Sequence, residues 1–224
     1  MAGIPASGSE HRAGFWHALG AQLGNPSGIA GRIVGGAMRL ANRTPNALAV
    51  EALGVRPEHV VLDLGCGPGQ SVRMIAAQVS AGRVHGLDRS PLMLRQAAKA
   101  NRSSVRAKRV VLAEGRFEQL PYADRTFDRI LASNVMYFWN DAAAVVRELR
   151  RVLRPGGRIV IYVTDASAMR EWRFARTGTH RLFDAAGLAR TLWEAGMGAD
   201  ELTVSQVRVW RRIPGLLAVI SPKQ

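Results

Sequence analysis

The sequence predicts an α/β protein built on a doubly wound, mostly parallel sheet with an antiparallel hairpin at its C-terminal end. Three observations predict it. From residue 58 onward, short apolar runs alternate with helical apolar spacings, and such alternation implies right-handed crossovers and a parallel sheet. The first strand runs straight into a glycine-rich turn, VVLDLGCGPG at 60–69. The last two strand-like runs have no helix between them, so they pair antiparallel at one edge.

Each element has a local reason. Asn46–Leu53 reads as a helix ending at Gly54. Val60–Leu64 is a short apolar run bounded by Gly65, as expected of a strand buried on both faces. Ser71–Val79 places Val72, Ile75, Ala76 and Val79 at helical spacing. Val84–Leu87 is the second strand. Pro91–Ala100 is the next helix, with Ser90 as N-cap and Pro91 at the first helical position. Arg109–Ala113 and Phe127–Ser133 are the third and fourth strands. Asp141–Leu153 is a strongly amphipathic helix that Pro155, Gly156 and Gly157 stop. Arg158–Val163 is the fifth strand, and Asp184–Ala195 a helix ended by Gly196. Glu201–Val209 and Gly215–Ser221 form the hairpin, with Pro214 in its turn.

Residues 1–45 differ from the rest and are expected to form a Gly-rich arm or lid, followed by a domain over 46–224. Six glycines fall at 20, 24, 28, 31, 35 and 36, interleaved with apolar residues and Arg32, Arg39 and Arg43. Such a segment suits a lid, a membrane-touching stretch or a plain wrap over the core.

Composition narrows the function. A chain of 224 residues with 47% hydrophobic and 21% charged residues can bury a full core without staples. One cysteine permits neither an intrachain disulfide nor a cysteine-rich zinc site, and the five histidines lack ligand spacing, so no metal is expected. No apolar run reaches the roughly 18 residues of a membrane-spanning helix, and the first residues do not pattern as a secretory signal. A cytoplasmic location is expected. The net charge is +14, nearly all of it from arginine. That predicts weak attraction to anionic surfaces, membrane included.

The turn after the first strand carries the chemistry. Gly65, Gly67 and Gly69 let backbone pass close to a ligand. Asp63 sits in the strand end, where a carboxylate is costly without a partner. Asp88 ends the second strand in GLDRS, where an acid can accept both hydroxyls of a ribose. A dinucleotide site would want GxGxxG, but Gln70 and Ser71 follow Gly69 here. The turn instead suits an adenosine with a short charged tail.

VLDLGCGPG, GLDRSPLMLRQA, EGRFEQLPYADRTFDRI, SNVMYFW and RELRRVLRPGGRIVI, in that order, resemble the class I S-adenosylmethionine-dependent methyltransferases. The likeness is nearest to the small-molecule group that includes the ubiquinone/menaquinone C-methyltransferases, and it covers about residues 46–221. It implies a Rossmann-like, seven-stranded sheet and S-adenosyl-L-methionine as cofactor. It also implies roles. Asp63 would orient the loop and the methionine ammonium, with the Gly65, Cys66 and Gly67 backbone around the methionine part. Asp88 would hold the ribose hydroxyls, with Arg89 and Met93 along the nucleoside. Phe117 would stand beside the adenine. Ser133, Asn134 and Val135 would line the sulfonium side. Relatives commonly carry an acid where this chain has Arg116, and arginine cannot accept a hydrogen bond from the adenine amino group.

The acceptor is expected to be a hydrophobic or aromatic small molecule, quinone-like or a natural product, methylated on O, N or C. Tyr137, followed by Phe138 and Trp139, is the expected catalytic side chain at the end of the fourth strand, with His17 and His180 as further candidates. Phe15, Trp16, Trp172 and Phe183 would complete an aromatic pocket. A membrane-associated lipid methyltransferase and an RNA methyltransferase are the alternatives raised by the charge. The Asn134–Val135–Met136–Tyr137 stretch lacks the Pro-Pro pattern of base-amino methyltransferases, which disfavours nucleic acid. A non-catalytic binding protein is a further alternative, to which Arg116 points.

Overall fold

A computed structural model of the chain describes residues 42–172, 175, 180–209 and 213–222. The expected arm therefore lies, through residue 41, outside the described residues, and His17, Phe15 and Trp16 lie there too.

The described chain forms α1 (Arg43–Leu53), β1 (Val60–Leu64), α2 (Gln70–Ala76), β2 (Arg83–Asp88), α3 (Pro91–Ala100), α4 (Arg102–Arg106), β3 (Val110–Glu114), β4 (Phe127–Ser133), a 3₁₀ turn (Met136–Phe138), α5 (Ala142–Val152), β5 (Leu153–Thr164), α6 (Ala166–Met169), α7 (Ala185–Glu194), β6 (Leu202–Val209) and β7 (Ile213–Ile220). The strands make one seven-stranded sheet in the order β3-β2-β1-β4-β5-β7-β6. All pairs are parallel except β5–β7 and β6–β7. The expected sheet and its terminal hairpin are both present.

The central strands β1, β4 and β5 are largely apolar because both of their faces are covered, whereas the edge strands β3 and β6 are partly exposed. Along β5, Ile159, Ile161 and Val163 face one core while Val160 and Tyr162 face the other. Helices α5 and α7 close the first face. Helices α1 and α2, with Leu94 of α3 and Val105 of α4, close the second. Capping sets the helix ends. The Ser90 side chain accepts the Met93 N–H at the start of α3, and Asp141 and Asp184 do the same for α5 and α7. Gly54 ends α1 in the left-handed region.

Several boundaries differ from expectation. α1 begins three residues earlier than predicted and α2 ends three residues earlier. β3 is displaced by one residue, to Val110–Glu114. Pro155, Gly156 and Gly157 follow the helix end but lie inside β5. Phe127 pairs with Leu153 and Arg129 with Arg158, so β5 bulges between them, and Gly156 takes a positive φ of 74° there. Pro214 is not in a turn. It is the second residue of β7, where pairing with β5 begins only at Gly215 and the missing N–H is tolerated. The short α4, α6 and the 3₁₀ turn were not anticipated, because a single turn carries too little periodicity to read.

Candidate active site

The strand order reverses between β1 and β4, and a crevice opens there at the carboxyl ends of the strands. It is lined by the β1 turn, by Asp88 and Arg89 after β2, by Met93 and Phe117, by Ser133, Asn134 and Val135 at the end of β4, and by Phe138. Asn42 and Asn46 close it from α1. The space inside the cleft and its solvent-open mouth is about 700 Å³.

The β1 turn is held by its own backbone. The N–H groups of Gly65 and Cys66 both donate to Leu87 O, at 2.7 and 3.0 Å. Gly67 N–H donates to Asp88 Oδ2 at 2.9 Å, and Ser90 N–H donates to Asp88 Oδ1 at 2.8 Å. The Asp88 carboxylate thus fastens two loops while still lining the cleft. Burial pushes its pKa up, and the two N–H groups oppose that shift. Gly65 is required by space as well as by its φ of 71°, since a Cβ there would lie 2.3 Å from Val135 Cγ1. At Gly67, φ 51°, a Cβ would meet nothing within 4 Å. That open volume beside the Asp88 carboxylate is where a ligand can approach the backbone.

Asp63, Gly69 and Arg116 do not line the cleft. Asp63 is 1% exposed. It accepts the Ser71 hydroxyl at 2.5 Å, which fixes the start of α2 beneath the loop. Burial pushes its pKa up to about 7, with the Ser71 hydroxyl and the Val72 N–H pulling down and the Asp88 charge pushing further up. Gly69, φ 79°, packs α2 on α3: a Cβ would lie 2.8 Å from Ala97 Cα, and Asn101 Nδ2 donates to Gly69 O at 2.9 Å. The Arg116 side chain is 81% exposed and pairs with Glu118 at 3.6 Å. Cys66 lines the cleft as a buried thiol whose pKa burial pushes up, which suits packing rather than nucleophilic attack.

The expected catalytic tyrosine has a different role. The Tyr137 hydroxyl donates to Asn134 Oδ1 at 2.9 Å and accepts the Thr164 N–H at 2.5 Å. The side chain is buried behind the cleft, and burial pushes the phenol well above its ordinary range. The hydroxyl is committed to two protein partners, and the side chain does not line the cleft. It does hold Asn134, which sits in the left-handed region at φ 57°. His180 packs on Tyr137 and Phe138 with ring centroids 5.9 and 4.9 Å away. Burial pushes its pKa down to about 4, so the imidazole is neutral near pH 7. Of the expected aromatic pocket, Phe138 lines the cleft, whereas Trp139 and Phe183 are core and Trp172 packs against that core.

Asn42 and Asn46 were missed. Ser133 Oγ donates to Asn46 Oδ1 at 2.8 Å, and Asn134 Nδ2 donates to Asn42 Oδ1 at 3.0 Å. Two amides four residues apart at the start of a helix share one face, which was the available signal. Its meaning depends on the end of β4 lying opposite.

Comparison with known proteins agrees with this geometry. The family described as "Methyltransferase domain" matches residues 62–161. The uncharacterized methyltransferase YdaC of Bacillus subtilis (strain 168) is 30% identical over 148 residues, covering 64% of this chain and 80% of that protein. A demethylmenaquinone methyltransferase of Bacillus mycoides (strain KBAB4) is 32% identical over 118 residues, covering 52% of this chain and 49% of that one. Among solved structures, a chain in the complex between the Haloferax volcanii Trm112 methyltransferase activator and a methyltransferase superposes with a TM-score of 0.72 at 21% identity, covering 93% of this chain and 98% of the other. The chain spans about half the length of most of the curated relatives it matches. Fold and site together define a class I methyltransferase. The chain belongs to the S-adenosylmethionine-dependent methyltransferase family.

Proposed function

We propose that this chain catalyses methyl transfer from S-adenosylmethionine to O, N or C of a hydrophobic or aromatic small molecule. The observation that carries the reading is the open space over Gly67 beside the Asp88 carboxylate, at the sheet's switch point. The cofactor, when bound, supplies an electrophilic methyl on a sulfonium. The chain's part is to bind, align and exclude water.

In this reading Asp88 accepts the ribose hydroxyls, Arg89 and Met93 flank the nucleoside, and Phe117 stands beside the adenine. Gly65, Cys66 and Gly67 offer a close backbone surface to the methionine part. Ser133, Asn134 and Val135 shape the side from which an acceptor approaches. Asp63, Gly69 and Arg116 act from outside the cleft, the first two by holding α2 in place. Arg116 has no acceptor for the adenine amino group, so adenine relies on backbone and packing. Phe138, with neutral His180 behind it, forms the apolar acceptor wall. A relative named demethylmenaquinone methyltransferase supports an acceptor of this kind. Weak attraction to anionic membrane and a cytoplasmic location belong to the same reading, supported by the net charge of +14 and by a lone cysteine that is free.

Thermal unfolding with S-adenosylmethionine, S-adenosylhomocysteine and NAD tests the reading. Saturation at about 100 times the Kd adds roughly 2.7 kcal/mol, or a few degrees in Tm. Both sulfur ligands should raise Tm and NAD should not. No shift up to millimolar ligand would remove the cofactor assignment and the activity with it.

A further inference from the structure

Charge is segregated on this molecule. Residues 64–113 hold nine basic residues and one acid, Asp88, which is buried in the site. They build α2, β2, α3, α4 and most of β3, so more than half of the net charge falls on this stretch of the chain. Arg73, Arg95, Lys99, Arg102, Arg106 and Lys108 are all exposed, and none forms an ion pair among the described residues. Elsewhere acids are interspersed with the arginines: Arg150 pairs with Glu201, Arg151 with Asp124 and Glu148, and Arg154 with Asp128, while Arg147, Arg190 and Arg208 are exposed and form no ion pair among the described residues. Helices α2, α3 and α4 carry no acid that could do the same.

The composition between these charges selects the partner. Residues 70–113 contain no Phe, Tyr or Trp, so the face has no platform for stacking the bases of a single strand. Its helices are packed onto the sheet through Val72, Ile75, Leu94 and Val105. A protein partner would want a buried apolar or aromatic anchor. Here Ala77, Ala98, Ala100, Ser103 and Ala107 separate the charges, and none of the exposed large apolar side chains among the described residues lies on α2, α3 or α4. A bilayer of anionic lipid needs none of these features. It attracts a broad, unpaired basic surface by charge alone, within a Debye length.

We infer that the α2–α3–α4 face is an electrostatic docking surface for anionic lipid membrane. The inference deepens the weak membrane attraction of the proposed function by assigning it a surface, and it does not depend on methyl transfer.

Vesicle co-sedimentation of the full chain tests it, using phosphatidylglycerol and phosphatidylcholine vesicles at low salt. The protein should sediment with phosphatidylglycerol, not with phosphatidylcholine, and should be released as salt approaches about 0.5 M. The triple variant Lys99→Glu, Arg102→Glu, Arg106→Glu should lose about tenfold or more in bound fraction. A second triple, Arg147→Glu, Arg190→Glu, Arg208→Glu, changes the net charge equally at exposed positions on other elements and should retain most of the binding. An unchanged thermal shift with S-adenosylhomocysteine shows that each variant is folded. Failure of that shift in the unmodified chain would count against the methyltransferase reading and leave this test intact. Equal loss in both triples, absence of sedimentation, or tighter binding to a short RNA duplex than to vesicles at the same salt would each overturn the assignment.

Discussion

Tyr137 shows how a residue's chemistry depends on what its hydroxyl touches. Tyr137→Phe leaves the Thr164 N–H and Asn134 Oδ1 short of a partner in a buried place, which costs about 1–3 kcal/mol. We expect a Tm lowered by several degrees and a reduced kcat, with the shape of the pH–rate profile unchanged. Disappearance of a basic limb from that profile would instead make the phenol a proton acceptor. Asp63 has a pH signature of its own. Its carboxyl ionises near pH 4 in the unfolded chain and at about 7 in the folded one. Between those values the folded state holds a proton that the unfolded state has lost. This contribution is therefore full below about pH 4, falls as pH rises from there through 7, and is gone by about pH 8, a loss on the order of 4 kcal/mol. Asp63→Asn should flatten that decline in urea unfolding at pH 5 and pH 8. An equally steep decline in the variant would assign it to other groups. A reading of the sequence places Asp63, Tyr137 and the turn glycines near the site. It does not reveal that Asp63 faces Ser71, or that the Tyr137 hydroxyl is already used twice.

At the scale of elements, the cleft is completed by a helix the site motifs do not include. α1 meets the end of β4 through Asn42 and Asn46, and its other end is tied by Arg158 to Ala52 O at 3.1 Å. Asn46→Ala removes the Ser133 bond at about 1 kcal/mol. It should lower Tm by a few degrees and weaken S-adenosylhomocysteine binding several-fold in calorimetry. Unchanged affinity would confine the helix to a structural role. The long, periodic elements were legible because each buries one face over many residues. α4, α6 and the bulge in β5 were not, because one turn or three extra residues leave no repeated pattern. Pro214 misled for a related reason. A proline reads as a turn unless the onset of strand pairing is known.

At the scale of the whole molecule, the sheet order decides where chemistry occurs, and the charge decides what the surface attracts. With a net charge of +14 and a basic face lacking counter-charges, the folded state carries self-repulsion. Raising NaCl from low to physiological ionic strength and beyond should raise Tm by screening it. A Tm that falls with salt would mean that the ion pairs of Arg150, Arg151 and Arg154 outweigh the repulsion. The order β3-β2-β1-β4 brings loops from residues 65, 88, 117 and 134 to one crevice, although they are spread over some seventy positions of the chain.

The sequence by itself determined the sheet, the terminal hairpin, the glycine turn with its two aspartates, and the family. These rest on periodicity and on local motifs that survive without knowledge of neighbours. Only the tertiary structure decided which of those groups line the cleft. It turned Asp63, Gly69 and Tyr137 inward as supports, left Arg116 in solvent, and brought Asn42 and Asn46 to the rim. The physical reason is that burial and hydrogen-bond commitment are set by partners distant in the chain. The Tyr137 hydroxyl is bonded by Thr164 27 positions on, and Asn46 by Ser133 87 positions on.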